Sequence, residues 1–397
     1  MNSWPIVTLS EIAAIGAGNS APQDPKLFRD GTVPFIRTSD VGRVRFGHIE
    51  RAEDLLNSDG QRGLRLWPPT TILFPKSGAS TFLNHRVMMD VEAYVASHLA
   101  TIVAKPDRVL PAYLLYFLHT IRAQDLTQDH NYPSLRLPEI GAIKVPLPPL
   151  VEQARIVAIL DEAFEGIAKA TANAERNIAI SEELFDSQLQ AIFDQQKGCE
   201  YALSDVCSIE SKLIDPKAAE FADMLHIGAG NMVTKSEVLI DLKTAKEEGL
   251  ISGKFLFDAD MILYSKIRPY LMKVARPDFV GLCSADVYPL KPRKAVLDRD
   301  YLFFLLLSRK FTKYAIEGSG RAGMPKVNRN HLFAYRVTLP DLDTQIASAA
   351  RIDHTMSARS KLSALYQTKL ASLRELKESL LYKAFSGQLT GKESIAA

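Results

Sequence analysis

The stretch Glu317–Asn330 reads EGSGRAGMPKVNRN, and sets Gly318, Gly320 and Gly323 beside Arg321, Lys326, Asn328 and Arg329. Glycine lets a backbone come close to a ligand. Arginine presents a fork to the edge of guanine, asparagine does the same for adenine, and lysine pairs with phosphate. These residue types in one loop point to nucleic-acid recognition. A matching stretch in the first half of the chain, TQDHNYPSLR, supplies Asn131, Tyr132, Ser134 and Arg136. FPKSGAS adds Lys76, Ser77, Gly78 and Ser80, and its counterpart YSKIRPYL adds Lys266, Arg268 and Tyr270. RTSDVGRVR adds Arg37, Thr38, Ser39, Arg43 and Arg45. One such residue alone reads as solvated loop. The set gains weight because basic and amide-bearing residues recur at corresponding places in both halves.

Catalytic signatures are missing. IGAGN at Ile15 and again at Ile227 lacks the third glycine of a dinucleotide fingerprint. No GxxxxGK[ST] and no HExxH occurs, and the eight His do not cluster as ligands. WPPTT at Trp67 lacks the Asn and the aromatic of an amino-methyltransferase motif. Glu11, Asp40 and Asp90 read as isolated, solvated acids. The three cysteines, Cys199, Cys207 and Cys283, read as buried thiols in a reducing cytoplasm.

The elements that position the loops come in two copies. VPLPPLVEQ at Val145 answers VTLPDLDTQ at Val337, an offset of 192 that still holds at Phe193 and Phe385. Each phrase is followed by a long stretch without proline, which predicts a helix of about 45 residues, roughly 65 Å long. In the first copy Ile156, Leu160, Ala163, Ile167, Ala170 and Ala174 step by four and three, then slip to Ile178, Phe185 and Ile192. In the second, Leu362, Leu365, Leu370, Leu373, Leu376, Leu380 and Ala384 mark the expected stripe. The segments before them echo too: LSEI at Leu9 and LSDV at Leu203, ILFPK at Ile72 and ILYSK at Ile262, YLLYFL at Tyr113 and YLFFLL at Tyr301. ILFP and MILYS read as strands, and PAYLLYFLHTIRA and DYLFFLLLSRKFTKY as buried helices.

The expected fold is therefore α/β: two similar mixed α/β domains, over 1–150 and 199–341, and two long antiparallel helices forming a coiled coil, over 151–198 and 342–397, with an internal pseudo-two-fold repeat. The first helix segment has four Lys+Arg against nine Asp+Glu, and the second has eight against six over 341–397. Opposite net charge suits two elements lying side by side. The whole chain carries +2 over 397 residues, which decides nothing about nucleic acid. No apolar run reaches membrane-spanning length and the N-terminus does not read as a secretory signal, so a cytoplasmic protein is expected.

The pattern resembles the specificity subunit of Type I restriction-modification systems. The residues that carry it are IKVPLPPLVEQARIVAILDEAF (Ile143–Phe164), LKESLLYKAFSGQL (Leu376–Leu389), GMPKVNRNHL (Gly323–Leu332) and ILYSKIRPYLMKVARPDFVGLCSADVYPLKP (Ile262–Pro292). The resemblance covers essentially the whole chain. It implies that each domain is a target recognition domain reading one half of a split double-stranded DNA site, and that the helices fix the gap between halves. It implies two methyltransferase subunits and restriction subunits as partners, with S-adenosylmethionine, ATP and magnesium belonging to them and no catalysis in this chain. One departure stands out: PLVEQARIVAILDEAF becomes DLDTQIASAARIDHTM, with Thr344 for Glu152 and Ala347 for Arg155. The competing readings are a specificity module of another modification or defence system, an enzyme with an unrecognised site, and a purely structural coiled-coil adaptor.

Overall fold

The computed structural model describes residues 4–127, 134–320 and 325–390. The chain divides into two compact units, Met1–Asn173 with Leu370–Ala397, and Ala174–Lys369. Each long helix crosses from one unit to the other: Leu150–Asp194 and Leu342–Phe385.

In the first unit a five-stranded sheet runs in the order Ala13–Ala17, Leu99–Ala104, Ile72–Pro75, Arg86–Met89 and Phe46–Ile49. A three-stranded sheet sets Val33–Ile36 between Asp54–Leu56 and Tyr94–Val95. In the second unit a four-stranded sheet repeats the first order: Cys207–Ile209, Val287–Pro292, Ile262–Ser265, Val274–Ala275. Registers repeat as well. Ile72 lies opposite Ile102, and Ile262 opposite Leu290. The parallel pair Val33–Ile36 and Tyr94–Val95 returns as Leu225–Ile227 and Gly281–Cys283, here within a five-stranded sheet. The sequence echoes therefore mark one duplicated scaffold.

Each echo has a local cause. At LSEI, the Thr8 N–H donates to the Glu11 carboxylate at 3.3 Å, and at LSDV the Ala202 N–H donates to Asp205 at 2.9 Å. An acid three residues into a helix satisfies a donor that the helix cannot. Glu11 is thus an exposed helix-entry clamp rather than an idle acid, and its hydrogen bonds to Thr8 hold its pKa below the ordinary carboxylate value.

The glutamine of each proline phrase is fully buried. Gln153 accepts from Leu110 N–H at 2.8 Å and donates to the carbonyls of Arg108 (3.1 Å) and Pro148 (2.9 Å). Gln345 accepts from Asp298 N–H at 2.9 Å and donates to Val296 (2.9 Å) and Pro340 (2.8 Å). One side chain in each unit thereby pins the start of a long helix to the loop that opens the buried helix, Pro111–His119 or Arg299–Leu307.

The long helices run antiparallel within each unit. In the first, Ile156 and Leu160 share a core with Leu381 and Ala384. In the second, Phe185, Leu189 and Ile192 share one with Ala349, Ile352 and Met356. Fully burying a side chain of this size contributes roughly 1.5–3 kcal/mol.

Four expectations need correction. The stripe assigned to the second long helix holds only in part: Leu370, Leu373 and Leu380 are half-buried and Ala384 is buried as expected. Leu362, Leu365 and Leu376 are exposed, while Arg359 is buried and Tyr366 and Lys377 are half-buried on the inward face. Arg359 lies over the Phe185 ring at 4.3 Å, Tyr366 Oη accepts from Asn177 at 2.7 Å, and Lys377 Nζ stands 4.6 Å and 4.8 Å from the Phe46 and Phe164 ring centres. Asp40 is buried rather than solvated, and its carboxylate accepts from Arg37 N–H (2.8 Å) and Glu53 N–H (3.2 Å). The segment DYLFFLLLSRKFTKY is two helices, Arg299–Leu307 and Arg309–Glu317, broken at Ser308, whose extended ψ of 147° ends one and whose hydroxyl caps the next. Cys199 is exposed, while Cys207 and Cys283 are buried as expected.

Candidate nucleic-acid interface

The strand Ile72–Pro75 delivers Lys76 and Ser77 to a turn, and the segment at Ser134 lies against it. Ser77 bridges Ser134, Leu135 N–H donates to the Lys76 carbonyl at 2.7 Å, and Ser77 Oγ shares a hydrogen bond with His98 Nδ1 at 2.7 Å. In the second unit Ile267 bridges Lys326, and Val327 N–H donates to the Lys266 carbonyl at 2.8 Å. The same two loops are laced together in the same way in both units.

The turn itself is also repeated. Gly78 has φ of 81° and Arg268 has φ of 50°, each preceding a short 3₁₀ helix. Glycine takes a positive φ without penalty, whereas arginine holds it against a steric cost. The Arg268 side chain projects from this turn into solvent, with Tyr270 53% exposed two residues on. Among the described residues neither side chain has a hydrogen-bonding or ionic partner, so both are free to meet a ligand.

The other cations of the second unit are partly committed. Lys266 and Lys326 both approach Asp286, at 3.5 Å and 3.2 Å. Lys266 Nζ also donates to the Ala285 carbonyl at 2.6 Å and stands 5.4 Å from the Tyr288 ring centre. Tyr288 Oη donates to the Val327 carbonyl at 3.2 Å, and burial, then nearby Asp286, push its phenol pKa up against the pull of Arg329. Arg329 donates to Ser211 Oγ at 2.6 Å. Asn328 caps the helix Arg329–Phe333, its Oδ1 accepting from His331 N–H at 2.8 Å. Its carbonyl is spent on the fold, as the N-cap preference of asparagine dictates. In the first unit the equivalent cap position holds Arg136, bonded to Glu139.

In the first unit Lys76 and Ser80 are half-buried on the turn. Arg37, Thr38, Ser39 and Arg43 stand elsewhere, at the helix Thr38–Val44 that follows the three-stranded sheet. Arg37 pairs with Asp54 and lies over the rings of Phe28 (5.7 Å) and Phe35 (5.2 Å). Arg43 pairs with Glu53 and, at 3.0 Å, with Asp40. Thr38 is half-buried and Ser39 exposed. Among the described residues no hydrogen bond or ion pair joins this group to Lys76, Ser77, Ser80 or Ser134. Asn131, Tyr132 and Arg321 lie outside the described residues.

Sequence reasoning missed His98, Ser211 and Asp286. Asp286 stands inside the SADVYP stretch, close to a strand that echoes the first half, and could have been noticed there. His98 and Ser211 carry no signal of their own. The arrangement offers fixed backbone turns, two exposed side chains without a polar partner among the described residues and a pair of lysines tempered by one acid. Among the described residues no group of three or more His, Cys, Asp or Glu is placed to hold a metal, and no helix is long and apolar enough to cross a membrane.

Comparison with known proteins gives a consistent result. The family model described as Type I restriction modification DNA specificity domain matches residues 1–176 and 198–370, one copy for each repeat. The specificity subunit of the Type I restriction enzyme EcoDI from Escherichia coli is 32% identical over 187 residues, 47% of this chain and 41% of its own length. That of the enzyme MjaIX from Methanocaldococcus jannaschii is 23% identical over 292 residues, 68% of this chain and 63% of its own. The matched stretches thus span about half the length of these relatives. Among solved structures, a chain described under the complex assembly and conformational transition of the type I R-M system superposes with a TM-score of 0.76 at 17% identity, covering 98% of this chain and 99% of that one. The HsdS subunit from Thermoanaerobacter tengcongensis superposes at 0.58 with 18% identity, covering 98% of each chain. At these identities the likeness is one of fold.

Proposed function

The chain belongs to the Type I restriction-modification DNA specificity family, and from that premise we propose that it reads a bipartite DNA site for partner enzymes and carries no catalysis itself. Each unit reads one half-site through its paired loops. The observation that carries this reading is the duplicated lacing of those loops, Leu135 to Lys76 and Val327 to Lys266, inside the two stretches matched by the family. A duplicated reader suits a site in two parts.

On this reading Arg268 and Tyr270 contact bases or sugar, and Lys76, Ser77, Ser80 and Ser134 do so in the first half. Lys266, Lys326 and Arg329 serve the backbone more than the bases, because each is already oriented by an internal partner. The long helices, 45 and 44 residues, set the unspecified gap between half-sites. Two methyltransferase subunits and the restriction subunits supply S-adenosylmethionine, ATP and magnesium chemistry, and this chain directs where it occurs.

The test is a single-molecule methylation map of DNA from cells co-expressing this chain with its neighbouring methyltransferase, against cells lacking this chain. The expected result is a new bipartite motif, methylated at adenine, present only with this chain. A methyltransferase that is expressed and bound to this chain yet marks no new motif would leave it a structural adaptor.

A further inference from the structure

The two units differ where the scaffold is otherwise repeated. After its buried helix Pro111–His119, the first unit continues through Thr120–Leu126 with only a three-residue 3₁₀ turn, Ala123–Asp125, carrying Arg122 and Asp125. At the same place the second unit has a full helix, Arg309–Glu317. Its inner face is fixed by Phe311 and Ala315, both buried in the core. Its outer face presents Arg309, Lys310 and Lys313, all exposed.

Arg309 is held in place, its guanidinium 3.2 Å from Asp186 and 3.4 Å from Gln190. Lys310 and Lys313 are different. Among the described residues no carboxylate lies within ion-pair distance of either. Asp194 shares a groove of about 210 Å³ with Arg309, Lys310 and Lys313, and Glu317 shares a neighbouring surface with Lys313. Two exposed lysines therefore stand free beside one anchored arginine.

The helix is tied to the turn that carries Arg268 and to the short helix Arg329–Phe333. It packs against the 3₁₀ turn Pro269–Leu271, and Met272 at the end of that turn lines the same surface as Thr312, Lys313 and Ile316. At its other end Tyr314 stacks on His331, ring centres 4.0 Å apart and planes 9° apart. Tyr314 Oη donates to the His331 carbonyl at 2.8 Å, and the His331 ring bonds the Tyr314 carbonyl at 2.8 Å. Gly318 makes this stacking possible, because a Cβ there would lie 2.0 Å from the His331 ring. The helix is thus held between the turn Pro269–Leu271 on one side and His331 of the helix Arg329–Phe333 on the other.

We propose that the helix Arg309–Glu317 is a DNA-backbone clamp private to the second unit, in which Lys310 and Lys313 each neutralise a phosphate next to the second half-site. The inference rests on the DNA-reading function proposed above. Lysines contacting phosphate add affinity without sequence preference, and each contact releases counterions. The half-sites are then unequal: the second is held by backbone charge as well as by base contacts.

The test titrates the full chain, in the assembly it purifies with, against fluorescent duplexes over a series of KCl concentrations. One duplex carries the mapped bipartite site and another has its second half scrambled. The double substitution Lys310→Gln, Lys313→Gln should reduce the slope of log K against log salt by about two and weaken binding on the order of 50-fold at 0.1 M, equally on both duplexes. Lys310→Arg with Lys313→Arg should keep the parent slope, and thermal midpoints should match because both side chains are exposed. A glutamine variant that keeps the parent slope while binding normally overturns the clamp. A parent assembly that binds neither duplex overturns the DNA-reading function itself, and the clamp with it.

Discussion

Gln153 accepts the backbone N–H of Leu110 at 2.8 Å while donating both of its own protons to carbonyls, and Gln345 does the same for Asp298 at 2.9 Å. The most visible repeat in the sequence is therefore a buried hydrogen-bond clamp written once for each unit. Replacing either glutamine by leucine strands one N–H and two carbonyls in the interior. Each substitution should cost roughly 2–4 kcal/mol, as buried polar groups left unpaired do. Urea unfolding followed by amide exchange would check it: protection should fall at Leu110 in Gln153→Leu and at Asp298 in Gln345→Leu, each in its own unit.

Arg268→Gly separates stability from recognition. Position 268 holds φ of 50°, and its counterpart in the first unit is already glycine. Relief of the left-handed strain offsets the added chain entropy, so stability should stay within about 1 kcal/mol of the parent. Binding to the second half-site should weaken by roughly 1–3 kcal/mol if the guanidinium reads a base. Denaturation midpoints and anisotropy titrations on the same sample decide it. A variant that loses stability and keeps binding would make Arg268 a structural residue.

His119 gives the first unit an acid limit. Its ring packs 4.3 Å from Phe46, its Nδ1 is buried with no hydrogen-bond partner among the described residues, and burial, followed by Lys377, Arg86 and His85, pushes its pKa down to about 4. The folded value lies below the ordinary 6.5, so the stabilisation is fully present above pH 6.5 and is lost as pH falls towards 4. The loss should be on the order of 2–3 kcal/mol, and His119→Phe should abolish it. Unfolding midpoints of both proteins between pH 7.5 and 4.5 are the measurement, and parallel pH profiles would count against it.

Arg276 gathers three acids in the second unit. It hydrogen-bonds Glu237 (3.1 Å from Nε) and Asp353, stands in ion-pair contact with Asp300 (3.2 Å), and lies 4.8 Å from the Phe303 ring centre. Asp353 belongs to the second long helix, so this cluster fastens the domain to it. Arg276→Met should destabilise by about 1–3 kcal/mol, since the acids are near half exposed and solvent screens their repulsion. Adding Asp353→Asn should recover part of the loss, and so should added salt. A double-mutant cycle in urea gives the coupling directly.

Much of the molecule was legible in the sequence itself. Matched strands, the buried helices, the proline phrases and the paired polar loops all announced themselves through offsets between 188 and 194, because a duplicated scaffold keeps its elements while its loops gain or lose a few residues. The inward stripe of the first long helix was also readable at Ile156, Leu160, Ala174, Phe185 and Ile192, since its buried residues there are apolar. Nothing local foretold that Asp40 is buried or that His98 meets Ser77.

The second long helix marks the division most clearly. Sequence alone determined that it is a helix, where it starts, and that it repeats the first. Only the tertiary structure decided which face turns inward. Apolar periodicity chose seven positions: Leu370, Leu373, Leu380 and Ala384 do turn inward, whereas Leu362, Leu365 and Leu376 face solvent. The inward face also carries Arg359, Tyr366 and Lys377, whose polar groups meet Phe185, Asn177 and the rings of Phe46 and Phe164. A polar residue can enter a packed seam when a residue distant in sequence satisfies it. That partner is invisible to any window on the helix itself, because it arrives only when the chain folds back on the other copy.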